Sequence, residues 1–117
     1  MIGGGAGAVS RYWLSLTAAS LFGTSFPYGT LIVNLIGCFL IGFTVALAER
    51  NLFVGPSFRL FFVTGYLGGL TTFSTFALES VGALRAAAYP LAVANLLFNN
   101  VIGFVLVLAG IRLASLF

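Results

Sequence analysis

The sequence predicts an all-α integral membrane protein, one domain over residues 1–117, with four spanning helices of which the third is broken near its middle. Three observations carry this. The chain is 61% hydrophobic and only 6% charged, whereas a soluble domain spends about a quarter of its residues on charge to face water. Its mean hydropathy is +1.17. The few charges, Arg11, Glu49, Arg50, Arg59, Glu79, Arg85 and Arg112, leave uncharged intervals at 12–48, 60–78 and 86–111.

Each helix follows from those intervals. A span needs about 20 mostly apolar residues, so the second and third intervals hold one span each. The first is too long for one helix and is cut by "FGTSFPYG", residues 22–29, a Gly- and Pro-marked turn. Its early half joins the weakly hydrophobic "IGGGAGAVSRYWLSL" upstream. The predicted helices therefore run over about 2–22, 29–48, 58–82 and 89–115. The first lacks a basic leader and reads as a span rather than a secretory signal.

Loop 49–58 and the C-terminus share one side with Arg50, Arg59 and Arg112, while the other side carries Arg85. Acidic Glu49 counts little in the positive-inside rule, so the bias is small and leaves both insertion directions open. Four short helices do not enclose a pathway easily, so oligomerisation is expected. Gly3 and Gly7, and Gly65 and Gly69, are small-xxx-small pairs that let helices approach.

Composition excludes several functions. There is no His and no Lys, and there are two carboxylates, so an acid–base site or a metal site built from side chains has almost no material. Ser74 and the threonines have no base to activate them. The one cysteine, Cys38, excludes an internal disulfide and reads as a small packing residue. A pI of 9.6 reflects five scattered arginines rather than a basic patch, so nucleic acid is not an expected partner.

The polar residues inside the spans carry the functional signal. Thr30 and Asn34 lie one turn apart on a helix 2 face that continues to Gly37, Cys38 and Ile41. On helix 4, Asn95, Asn99 and Gly103 fall on one stripe. Amides in hydrocarbon are costly unless satisfied, so these face protein or a wet cavity. Interhelical hydrogen bonding is one reading. A track of neutral donors able to replace the water around a small anion is the other. Arg11 either snorkels, pairs with Glu79, or serves the anion path.

The stretch "GGLTTFSTF", 68–76, places poor helix formers inside helix 3 and predicts a discontinuous helix broken near 68–73. Carbonyls freed there suit a hard cation such as Na⁺, and the N-terminus of the following half-helix suits an anion. Phe73 and Phe76 share a face of that half-helix and offer positive ring edges.

These segments, "GGGAGAVSRY" (3–12), "GTLIVNLIGCFLIG" (29–42) and "GYLGGLTTFSTFALE" (65–79), with polar steps of four on helix 4, resemble the Fluc/CrcB family of fluoride channels. The resemblance implies an antiparallel dual-topology homodimer in the cell (inner or plasma) membrane. It would have two pores, passing fluoride down its gradient and relieving cytoplasmic fluoride toxicity. It implies a structural, untransported Na⁺ at the dimer centre, held by backbone carbonyls of Gly68 and Thr71. Phe73 and Phe76 match the family's pore phenylalanines and Asn34 its helix 2 asparagine, with Thr30 and Ser74 as further track members. Helix 4 departs from the family pattern: Asn95 and Asn99 stand where many members have Tyr and Ser. Arg11 and Glu79 remain accessory candidates. The competing reading is a proton-coupled exporter of the small multidrug type. That mechanism needs a titrating carboxylate in the membrane, and Glu79 is its one candidate. A non-transporting scaffold would have no use for buried amides on two helices.

Overall fold

The computed structural model describes residues 2–50 and 55–117, so part of the 49–58 loop lies outside the described residues. Among the described residues the chain is helical without strands. Helix α1 spans Ile2–Phe22 and α2 spans Tyr28–Glu49. The third segment is two helices, α3 over residues 56–70 and α4 over Phe73–Arg85. Helix α5 spans Tyr89–Ala114. The bundle measures 48 × 28 × 23 Å, and its long dimension matches a bilayer with its headgroups, about 40–45 Å.

Three helical segments, Tyr28–Glu49, Pro56–Arg85 and Tyr89–Ala114, are long and apolar enough to cross a membrane. Helix α1 has 21 residues, enough for a span, but is less apolar than these three. Arg11, Ser10, Ser15, Thr17 and its glycines dilute its hydrophobicity.

Close backbone approach holds α1 against α3. A Cβ on Gly7 would run into the Tyr66 carbonyl and lie 2.8 Å from the Leu70 nitrogen, and one on Gly3 would lie 2.6 Å from the Phe61 carbonyl. The two small-residue pairs thus serve each other within one chain. Tyr66 Oη donates to Ser10 Oγ at 2.9 Å across the same seam. Helix α2 meets α5 the same way, a Cβ on Gly42 colliding with the Val107 carbonyl and one on Gly110 with the Phe39 carbonyl. Val33, Leu67 and Leu70 form the buried core between α2 and α3. At the far end Arg50 Nη1 donates to the Ala114 carbonyl at 3.1 Å, a second donor beside the Phe117 N–H, and ties the end of α2 to the end of α5.

Two turns need left-handed backbone. Gly23, φ +85°, closes α1. After α4 the Ala88 N–H donates to the Ala83 carbonyl at 2.8 Å and the Ala87 N–H to that of Leu84 at 3.0 Å. This is the Schellman pattern, but with Ala87 at φ 59° where glycine is usual.

Hydrogen bonding widens to the π register over Leu60–Leu67 in α3 and over Phe98–Ile102 in α5. Such segments recur at functional sites. Here the second contains Asn99 and Asn100, and the first leads into the break.

Candidate functional site: a helix break clamped by asparagines

The break is narrower than the sequence suggests. Gly68–Leu70 stay helical, and the chain is extended only at Thr71 (φ −86°, ψ 159°) and Thr72 (φ −152°, ψ 120°). Thr71 still belongs to α3 by its bonds: its N–H donates to the Leu67 carbonyl at 3.0 Å and its Oγ1 to the same carbonyl at 2.9 Å. Thr72 belongs to α4 as its N-cap, its Oγ1 accepting from the Thr75 N–H at 3.2 Å. One threonine closes the first half-helix and the next opens the second.

Asn34 on α2 holds the point between them. The Thr72 N–H donates to Asn34 Oδ1 at 2.9 Å, and Asn34 Nδ2 donates to the Thr72 carbonyl at 3.2 Å. The Thr72 N–H therefore does not serve the Gly68 carbonyl four residues back. The break releases carbonyls at the end of α3 and leaves the first N–H groups of α4 without helical acceptors.

Asn34 Nδ2 also donates to Asn99 Oδ1 at 3.0 Å. Asn99 Nδ2 donates to the carbonyl and to Oδ1 of Asn95, each at 2.9 Å. Asn95 Nδ2 donates to Ser80 Oγ at 3.0 Å. The expected stripes do meet, but their donors are largely committed to one another. Asn95 is fully buried, at 0% exposure, and lines no described cavity.

A cavity of about 370 Å³ lies beside the break. Asn34, Gly68, Thr71, Phe73, Phe76 and Asn99 line it, together with Gly37, Cys38 and Asn100. The two phenylalanine rings are 5.7 Å apart and tilted by 58°. Their environments differ sharply, Phe73 being 78% exposed and Phe76 6%. Phe76 is thus a wall of this chain, while Phe73 projects away from it.

Other expected residues lie elsewhere. Thr30 is buried on the opposite side of the break and lines two further cavities. One, of about 310 Å³, also holds Arg11 and Thr72. The other, of about 640 Å³, also holds Glu79. Both share Ser15, Thr30 and Thr75. Glu79 Oε1 is buried with no hydrogen-bond partner, so Arg11 does not neutralise that oxygen. Ser74 is exposed, lines none of the three cavities, and approaches Thr72 Oγ1 at 3.5 Å.

Ser80, Thr75 and Asn100 were not legible as site residues. Ser80 and Thr75 lie on α4, away from the amide stripes of α2 and α5, and spacing along one helix does not show what faces it. Asn100 follows Asn99 directly, and the widened π turn brings both to one cavity.

A family model described as "CrcB-like protein, Camphor Resistance (CrcB)" matches residues 1–111. The chain belongs to the CrcB family. Relatives within reach of it are each named "Fluoride-specific ion channel FluC". One from Solidesulfovibrio magneticus is 39% identical over 115 residues, covering 98% of this chain and 92% of the relative. One from Nitrosococcus oceani is 42% identical with the same coverage. One from Citrifermentans bemidjiense is 44% identical over 111 residues, covering 95% and 90%. These CrcB relatives are named as channels, not enzymes.

Proposed function

We propose that this protein is a fluoride-selective passive channel that lets fluoride leave the cytoplasm, built as an antiparallel homodimer in the cell membrane with two pores. The observation that carries the reading is the clamped break in a segment long and apolar enough to span, with Phe73 and Phe76 beside it, in a chain of the CrcB family. Irregular backbone at membrane depth is stable only where protein buries it or a cavity solvates it.

In this reading α1 is the fourth span, its polar residues facing protein rather than lipid. Fluoride passes along the Phe73, Phe76, Asn34 and Asn99 wall, met by ring edges, while the Asn34 and Asn99 amide donors stay committed to the break and to Asn95 and shape the wall. The N-terminus of α4 adds a favourable potential for an anion. Thr30 lies on the continuation of the path towards Arg11 and Glu79, and Ser74 at its exposed flank. Phe73, so exposed in one chain, reaches the pore region of the second copy.

The end of α3 fits a structural Na⁺. Gly68 and Thr71 line the cavity, and the Gly68 carbonyl lacks the Thr72 donor that a continuous helix would supply. Oxygen atoms of this kind suit a hard cation. One chain supplies too few of them, so an antiparallel copy would complete the set. The cation would supply positive charge at the dimer centre, and the carbonyls of Gly68 and Thr71 would hold it.

The test is anion flux from proteoliposomes. Electrogenic fluoride efflux with chloride nearly excluded supports the channel. Absence of fluoride flux with Na⁺ present overturns it. A pH-driven flux of organic cations abolished by Glu79→Gln would instead establish the exporter reading.

A further inference from the structure

The hydrogen bonds around the break form a single directed chain, and its direction is forced. The Thr72 backbone N–H can only donate and its carbonyl only accept, so Asn34 must present Oδ1 to the first and Nδ2 to the second. Asn34 Nδ2 then requires Oδ1 of Asn99. That leaves Asn99 Nδ2 facing Asn95, where the Asn95 backbone carbonyl independently demands a donor. Asn95 accepts with Oδ1 and passes Nδ2 on to Ser80 Oγ. Every amide has one possible orientation. The chain runs from the break on one side of the bundle to the middle of α4 on the other.

We infer that Ser80 and Asn95 are positioning residues for the break, acting on Thr72 through Asn99 and Asn34 rather than by touching an ion. Both are buried, Ser80 at 6% exposure and Asn95 at 0%, and neither lines a described cavity. Ser80 Oγ is the terminal acceptor. Without it Asn95 Nδ2 faces no partner, and flipping the Asn95 amide would set its Nδ2 against Asn99 Nδ2, two opposed donors, leaving Asn99 Nδ2 without its side-chain acceptor. The register of α4 is thereby tied to the geometry of its own N-cap, eight residues earlier in the chain. Combined with the channel reading, this assigns Asn95 and Asn99 of α5 to holding the break open in one geometry.

The test reads the Thr72 amide directly, by NMR hydrogen exchange on the full-length protein in lipid nanodiscs without fluoride. Ser80→Ala and Asn95→Leu should speed Thr72 exchange by about ten-fold, the weight of one to two net hydrogen bonds. Ser80→Thr, which keeps the hydroxyl, should restore the wild-type rate. Asn100→Leu, which removes an amide bonded only to its own helix at Leu96, should leave Thr72 unchanged. Fluoride flux should fall in Ser80→Ala and recover in Ser80→Thr. An unchanged Thr72 rate in both Ser80→Ala and Asn95→Leu overturns the inference, as does equal acceleration by Asn100→Leu, which would mean general loosening. The amide is read without any ion, so a wild type that fails to conduct would count against the channel reading alone.

Discussion

Asn34 spends its whole side chain on the break: its oxygen takes the Thr72 N–H and its nitrogen serves both the Thr72 carbonyl and Asn99. Asn34→Ala should destabilise the protein by about 1–3 kcal/mol, because buried backbone groups lose their partners. Denaturation in detergent measures this. Asn34→Asp, nearly isosteric, should also lose activity, since it sets a second oxygen against the Thr72 carbonyl and Asn99 Oδ1. In the proposed channel fluoride meets ring edges at the neighbouring phenylalanines, so Phe73→Ile should slow fluoride flux by at least about ten-fold with little loss of stability, Phe73 being 78% exposed in the single chain. Unchanged flux would remove Phe73 from the pore and leave the break intact.

At the scale of elements, composition is enough to place the helices, and their bounds differ from expectation by a few residues at most. The extent of the break is different. Two glycines and a threonine pair suggest irregularity over 68–73, yet Gly68–Leu70 remain helical because α1 packs closely against them and Thr71 bonds back to Leu67. Local propensity marks where a helix is weak, and packing decides which residues leave it. The pairing of Asn34 with Thr72 and of Asn95 with Ser80 is a matter of helix rotation, which spacing along one helix does not contain. Ser80 stayed hidden for that reason. Gly7→Ala should cost about 1–3 kcal/mol by driving a methyl into the Tyr66 carbonyl. Ala87→Gly should do the reverse, raising the thermal midpoint by relieving a left-handed alanine worth about 1 kcal/mol.

For the whole molecule, the charge distribution that leaves orientation undecided is a physical property of five arginines and two glutamates spread over both sides. In the proposed channel this small bias suits insertion both ways and pairing with an inverted copy. A cysteine placed at exposed Ser25 in a Cys38→Ser background should be labelled from outside in about half of the copies. Replacing Na⁺ by a bulky organic cation throughout purification should weaken dimerisation and flux together, read by cross-linking and by efflux. The apolar faces left uncovered here include Phe73, Leu78 and Phe104, and sequence alone could not separate those that face lipid from those that face a second copy. The most direct test of the account is fluoride against chloride flux from Na⁺-containing proteoliposomes holding the wild-type protein. The account predicts rapid, electrogenic fluoride efflux with chloride retained. Retention of both ions, or equal passage of both, would contradict it.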